Sequence, residues 1–344
     1  MSSIRPTADT GREAAGEPGA PRVSAASPRR SVTVLALVAL AALIPLLGPS
    51  VVLSGTGEAA APGVGGIALL RTVLFAAVCV PAGELFVTRL ARRVPGAPWQ
   101  DVPRGWAPAS AAAGFVASLG LASVVATGNL VPRSLSDMDI GGLYQSRDGA
   151  LALLEVNAFV ALGLCALSRR PGTQVWPLAA VAVAEALRAH PTTEQSPLIG
   201  SGLTLVHVTC AALWAGGLLY VLRTMLRWRN SAPGEGAALL GLYARVAAVL
   251  LAAITATGVC STLRRMPAGT VLDQLTTTAY GRTLLAKVLL VVVVAVLALY
   301  ARRRLRRAAD PLTAYSPARA EVVALGLVVA VSALLTAVPV PIRW

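Results

Sequence analysis

Residues 283–300 read TLLAKVLLVVVVAVLALY, an unbroken aliphatic run in which Lys287 is the one charge. As a helix rising 1.5 Å per residue it extends about 27 Å, close to the ~30 Å hydrocarbon core of a bilayer. Directly behind it stand Arg302, Arg303, Arg304, Arg306 and Arg307, the kind of basic cluster that holds a helix end in the cytoplasm. Aromatics make up only 5% of the chain, so such runs are plain aliphatic helices and not the alternating strands of a barrel. The reading is therefore all-α.

Outward from this stretch, similar runs lie at 32–53, 67–88, 108–131, 149–167, 174–189, 198–222, 238–262 and 319–338, which predicts a polytopic transmembrane bundle of about nine spans. With 56% hydrophobic and 13% charged residues over 344 positions, a soluble core could not hide so much apolar surface. Residues 1–31, rich in Ser, Pro, Gly, Ala and Arg, have the composition of a disordered cytoplasmic tail. The run 32–53 is then a retained additional transmembrane helix, too long and too far from the start for a secretory signal.

Basic residues concentrate in alternate connections: the tail, 89–107, 168–173, 223–237 and 301–318. Positive-inside logic places these, with the N-terminus, in the cytoplasm, and Pro339–Trp344 outside. Arg264 and Arg265 are the exceptions. The outside loops are expected at 54–66, 132–148, 190–197 and 263–282, carrying Asp137, Met138, Asp139, His190, Glu194, Met266 and Asp273. The formal charge of +14 thus sets topology, and no nucleic-acid partner is expected; the partner surface is membrane lipid.

An ionisable group within hydrocarbon is expensive unless paired or facing a cavity, so polar residues inside spans are the functional candidates. They are Glu84, Glu155, Asn157, Glu185, Arg188, His207 and Lys287. The chain has two histidines, His190 and His207, both on the hairpin of the fifth and sixth spans. On the sixth, His207, Cys210 and Trp214 fall at i, i+3 and i+7, on one face with Ser201 and Thr204. Imidazole beside thiol suits a soft cation such as Cu(I); a hydrogen bond from His207 to a neighbouring helix and simple packing of Cys210 are the plainer alternatives. Cys79, Cys165, Cys210 and Cys260 are isolated and form no CxxC site. Met138 and Met266 add thioether sulfur to the outside loops. Glu185 and Arg188 form a local pair by spacing, Glu155 and Lys287 are close enough in depth to pair between helices, and Trp214-Ala215-Gly216-Gly217 invites close helix approach.

From about Ile67 to Pro341 the chain resembles the copper resistance protein D (CopD) family, longer actinobacterial type. The resemblance rests on His190, then Leu205-Val206-His207 through Leu213-Trp214-Ala215-Gly216-Gly217-Leu218. It rests also on Thr278-Ala279-Tyr280-Gly281-Arg282-Thr283-Leu284-Leu285-Ala286-Lys287, with Tyr243-Ala244-Arg245, Thr257-Gly258 and Glu321 in support. Where that family has Gly-His before small residues, this chain has Arg188-Ala189-His190-Pro191-Thr192-Thr193. The resemblance implies a CopD-like transmembrane domain over 67–341 that moves or handles copper, as Cu(I), at the cytoplasmic membrane, with His190, His207 and Cys210 as metal candidates. It also implies a separate periplasmic CopC-type copper carrier as partner.

Two other functions stay open. One is electron transfer, with haem b held by His190 and His207; His207 lies about 14 Å below the outer boundary whereas His190 is expected at the surface, which argues against a shared small site. The other is a non-transporting subunit that delivers copper to another membrane protein. No nucleotide-binding loop, phosphorylatable Asp motif or catalytic triad is present, so the chain is not expected to be an enzyme.

Overall fold

The computed structural model describes residues 28–59, 61–128, 130–132, 134–190, 196–266, 268–307 and 315–340. The expected tail up to residue 27, Glu194 with the rest of 191–195, and the chain end 341–344 lie outside the described residues.

Among the described residues the fold is all-helical, with no strand. The helices are α1 (Pro28–Leu53), α2 (Val64–Ala91), α3 (Ala107–Ala126), α4 (Ile140–Gln145), α5 (Arg147–Leu167), α6 (Val175–Arg188), α7 (Pro197–Trp228), α8 (Pro233–Arg265), α9 (Val271–Thr277), α10 (Ala279–Arg307) and α11 (Tyr315–Leu335). Six are long and apolar enough to cross a membrane: α2, α3, α5, α7, α8 and the Ala279–Tyr300 part of α10. The stretches Ala41–Leu53 of α1 and Ala320–Leu335 of α11 are apolar as well. A helix thus stands at each of the nine apolar runs, but α6 has only 14 residues, about 21 Å, well short of the hydrocarbon core. The turn Pro171–Gln174 precedes it as a separate 3-10 element. Helix α1 begins at Pro28, so the last four residues of the expected tail are helical.

Local chemistry sets the helix starts. Asp139 accepts the Gly142 N–H at 2.9 Å and caps α4, and Ser146 accepts the Gly149 N–H at 3.1 Å and caps α5. Pro197 and Pro233 open α7 and α8, where a missing N–H costs nothing. Asp137 is spent on the turn, accepting from Ser134 Oγ at 2.9 Å. The acidic groups expected in the loop 132–148 therefore serve its own geometry.

Helices α2 and α7 cross at glycine. A Cβ on Gly83 would stand 2.1 Å from the Gly216 carbonyl carbon, and one on Gly216 would stand 1.7 Å from the Cys79 oxygen. No side chain fits there, which is how small residues bring transmembrane helices together. Gly217 leaves room for the Tyr243 ring of α8, whose hydroxyl donates to the Trp214 carbonyl at 2.5 Å. Trp214 is buried in the same apolar cluster, so its role is packing.

The two ends of the bundle are tied differently. At the Trp106 end, residues 98–106 lie across α7: Trp228 Nε1 donates to Asp101 O at 2.6 Å and Arg223 Nη2 to Arg104 O at 2.7 Å. The Arg223 guanidinium stacks 3.6 Å from the Trp106 ring centroid, and Glu84 accepts the Trp106 N–H at 2.5 Å. At the opposite end, where His190 lies, Arg147 Nη2 donates to Leu187 O at 2.7 Å, Arg264 Nη2 to Ser196 O at 3.1 Å and Arg265 Nη2 to Ala189 O at 3.5 Å. Arg264 and Arg265, exceptions to the charge pattern, are thus claimed by helix-end carbonyls of the α6–α7 connection.

Candidate functional site

Because α7 is unbroken from Pro197 to Trp228, Ser201, Thr204, His207, Cys210 and Trp214 recur at spacings of three and four along it. His207 Nδ1 lies 3.0 Å from Thr257 Oγ1 on α8. Thr257 Oγ1 also lies 2.7 Å from Ala253 O, an acceptor only, so the hydroxyl proton goes there. The hydroxyl oxygen then accepts from His207 Nδ1–H, and the Nε2 lone pair of the neutral ring is left for a ligand. Cys210, half-buried one turn further along α7, flanks an apolar cluster.

His190 is buried, with 2% of its surface exposed, and its Nε2 lies 2.9 Å from Thr204 Oγ1. This overturns the surface placement expected for it. Gly200 makes the room: a Cβ there would stand 2.4 Å from His190 Nδ1. Thr204 and His207 are three residues apart, about 4.5 Å along the axis. The two histidines therefore address neighbouring turns of one helix.

Lys287 on α10 acts electrostatically on His207, and no carboxylate pairs with it among the described residues. The expected Glu155–Lys287 pair is not formed. Glu155, fully buried at 0% exposure, binds Arg188 instead, with Nη1 to Oε2 at 2.9 Å. The same nitrogen lies 3.2 Å from Glu185 Oε1, so the local α6 pair does form. Arg71 of α2 closes a quartet, with Nη1 at 3.4 Å from Glu185 Oε2. Arg71 lies inside the run 67–88, so the rule that flags intramembrane charge applies to it as well; its partner, 114 residues away, carries no sequence signal. Asn157 is exposed and donates to Leu153 O of its own helix at 2.8 Å.

Met266 is not a loop ligand: it is fully buried among Ala68, Ala279, Tyr280 and Leu334. The Tyr280-Gly281-Arg282 segment is a splice between helices. A Cβ on Gly281 would meet Gln274 O at 1.9 Å. Arg282 donates from Nε to Thr276 O at 2.8 Å and from Nη1 to Ser54 O at 2.6 Å, while Glu58 accepts the Ala279 N–H at 2.9 Å. Among the described residues no group of three or more His, Cys, Asp and Glu side chains is placed to hold a metal. His207 and Cys210 are at most a two-ligand set.

A helical bundle with buried charge and six helices long enough to span makes this a multi-pass membrane protein. Within it, residues 237–337 match the family model for copper resistance protein D (CopD), covering nearly all of α8 through α11. That domain implies a role in copper resistance or handling. It includes Thr257, the Tyr280–Arg282 segment, Lys287 and Glu321, whereas His190, His207, Cys210 and the quartet precede it. No curated protein and no solved structure matches the chain.

Proposed function

We propose that the chain lies in the cytoplasmic membrane with its His190 end outside, and carries copper inward as Cu(I) without chemical turnover. The observation that carries this reading is the His207 Nε2 lone pair, released by the His207–Thr257–Ala253 relay, one turn from the Cys210 thiol. Nitrogen and sulfur suit Cu(I), and two ligands hold a cargo that must also leave.

At this end Arg147, Arg264 and Arg265 hold the carbonyls of Leu187, Ser196 and Ala189. Copper is handed over at this end by a periplasmic CopC-type carrier. Cargo then passes His190 to His207 and Cys210. In the haem b alternative both histidines must offer Nε2, and that of His190 is engaged by Thr204. A copper-delivery subunit would use the same site without the inward step.

Metal content and absorption spectra of detergent-purified protein after Cu(I) loading test the reading. Copper held by the wild type and lost on joint His207→Ala and Cys210→Ser substitution is the expected result. Retention in the double variant, or a haem band, overturns it.

A further inference from the structure

The Arg71–Glu185–Arg188–Glu155 quartet has more hydrogen-bonding capacity than its own members use. Arg71 Nε, Arg188 Nε, Arg188 Nη2 and Glu155 Oε1 are all buried, and none has a partner among the described residues. Each such atom left dry costs about 1–3 kcal/mol. Three donors and one acceptor gathered in one place are the setting in which internal water is held.

Two carboxylates meanwhile share one guanidinium nitrogen, at 2.9 Å for Glu155 and 3.2 Å for Glu185, and act directly on each other. Like charges held this close in a medium of low polarity favour one shared proton, which belongs to the pair. The charges acting on Glu155 come from Glu185 and Arg188 on α6; Arg71 on α2 reaches it through Glu185. Helix α3, packed on α5, has no titratable residue, and α4 has only Tyr144. Arg147 and Asp148 occupy the first turn of α5 itself. On α7, His207 is bonded towards Thr257 of α8.

We propose that this quartet is a hydrated proton-binding site, in which the Glu155 and Glu185 carboxylates take up and release one proton from water at the His190 end. On uptake an O–H bond forms on the carboxylate pair and the quartet passes from net zero to one positive charge; no other bond changes. Nothing in the site depends on copper. A protonatable carboxyl at this depth is the element from which membrane proteins build proton relays.

Infrared difference spectra of the purified full-length protein, between acid and alkaline buffers and without metal, provide the test. A protonated-carboxyl band is expected to rise on acidification in the wild type, to vanish in Glu155→Gln and to shift in Glu185→Gln. Glu321→Gln, which alters a buried carboxylate elsewhere, is expected to leave it in place. In Arg71→Gln, which lowers the positive charge and leaves the pair intact, proton binding is expected to strengthen on the order of tenfold. Absence of the band from the wild type across the physiological pH range, or its persistence in Glu155→Gln, overturns the proposal. Should Glu155→Gln fail to fold, an unchanged titration midpoint in Arg71→Gln overturns it as well.

Discussion

Arginine is held in two ways in this protein. In the α2, α5 and α6 region, guanidinium groups answer carboxylates: Arg188 holds Glu155 and Glu185, and Arg71 holds Glu185. In the CopD-matched region they answer chiefly the backbone: Arg264 takes Ser196 O, Arg265 takes Ala189 O beside the Tyr280 hydroxyl, and Arg282 takes Thr276 O and Ser54 O. The first arrangement depends on which side chains are present and whether they are ionised. The second depends chiefly on where helices end, because a carbonyl neither titrates nor mutates. Side-chain pairing thus leaves a region open to control by protons, while carbonyl pairing fixes a frame.

The strongest way to break this contrast is Arg188→Ala. It strips Glu155, at 0% exposure, of its ion-pair partner, and is expected to lower stability by about 4 kcal/mol. Adding Glu155→Leu and Glu185→Leu should return part of that loss, since it removes both carboxylates and leaves only the partly exposed Arg71 guanidinium without its partner. Thermal unfolding in one detergent checks both; a triple variant no better than the single one sinks the side-chain account. Next comes Gly216→Ala, where the new methyl meets the Cys79 carbonyl, at an expected cost of about 3 kcal/mol. Size-exclusion profiles and unfolding midpoints read it, and a wild-type midpoint would show the α2–α7 crossing to be looser than described.

Arg282→Ala removes three hydrogen bonds to carbonyls, of Thr276, Val52 and Ser54, and is expected to cost about 2 kcal/mol. No second-site side-chain change should restore it, in contrast with Arg188→Ala, so recovery in a suppressor screen would erase the distinction. The smallest effect is expected for Arg223→Lys, which keeps the charge near Glu84 but loses the planar stack on Trp106. A loss of about 1 kcal/mol, read from the unfolding midpoint, locates that contact in the frame.

The same contrast explains what the sequence made legible. Aliphatic run length located the helices, since a bilayer dictates about twenty apolar residues to any helix that crosses it. It placed α6 within a residue at each end of the run 174–189, but with 14 residues that helix falls short of the crossing length, so apolarity alone did not tell a short helix from a span. The Glu185–Arg188 pair was readable from i, i+3 spacing. Its Glu155 partner, 33 residues from Arg188, was not, and depth alone pointed wrongly to Lys287. His190 looked like a loop residue because a hairpin corner is normally exposed; the space left by Gly200 and the hydroxyl of Thr204 draw its ring inside. The Tyr280-Gly281-Arg282 motif was visible as a pattern, but its reason, carbonyls left open at the ends of α1 and α9, exists only in three dimensions.

The glycine crossing also bears on how the molecule is made. Gly83 and Gly216 touch through backbone alone, yet 133 positions separate them in the chain. At ~5–20 residues per second, synthesis of that interval takes on the order of ten seconds. Throughout it, α2 has left the ribosome while the helix that seals its glycine face has not yet been made. Closure at Gly216 is therefore a late event of biogenesis, and until α7 arrives the face of α2 at Gly83 is covered by whatever the insertion machinery or the lipid supplies.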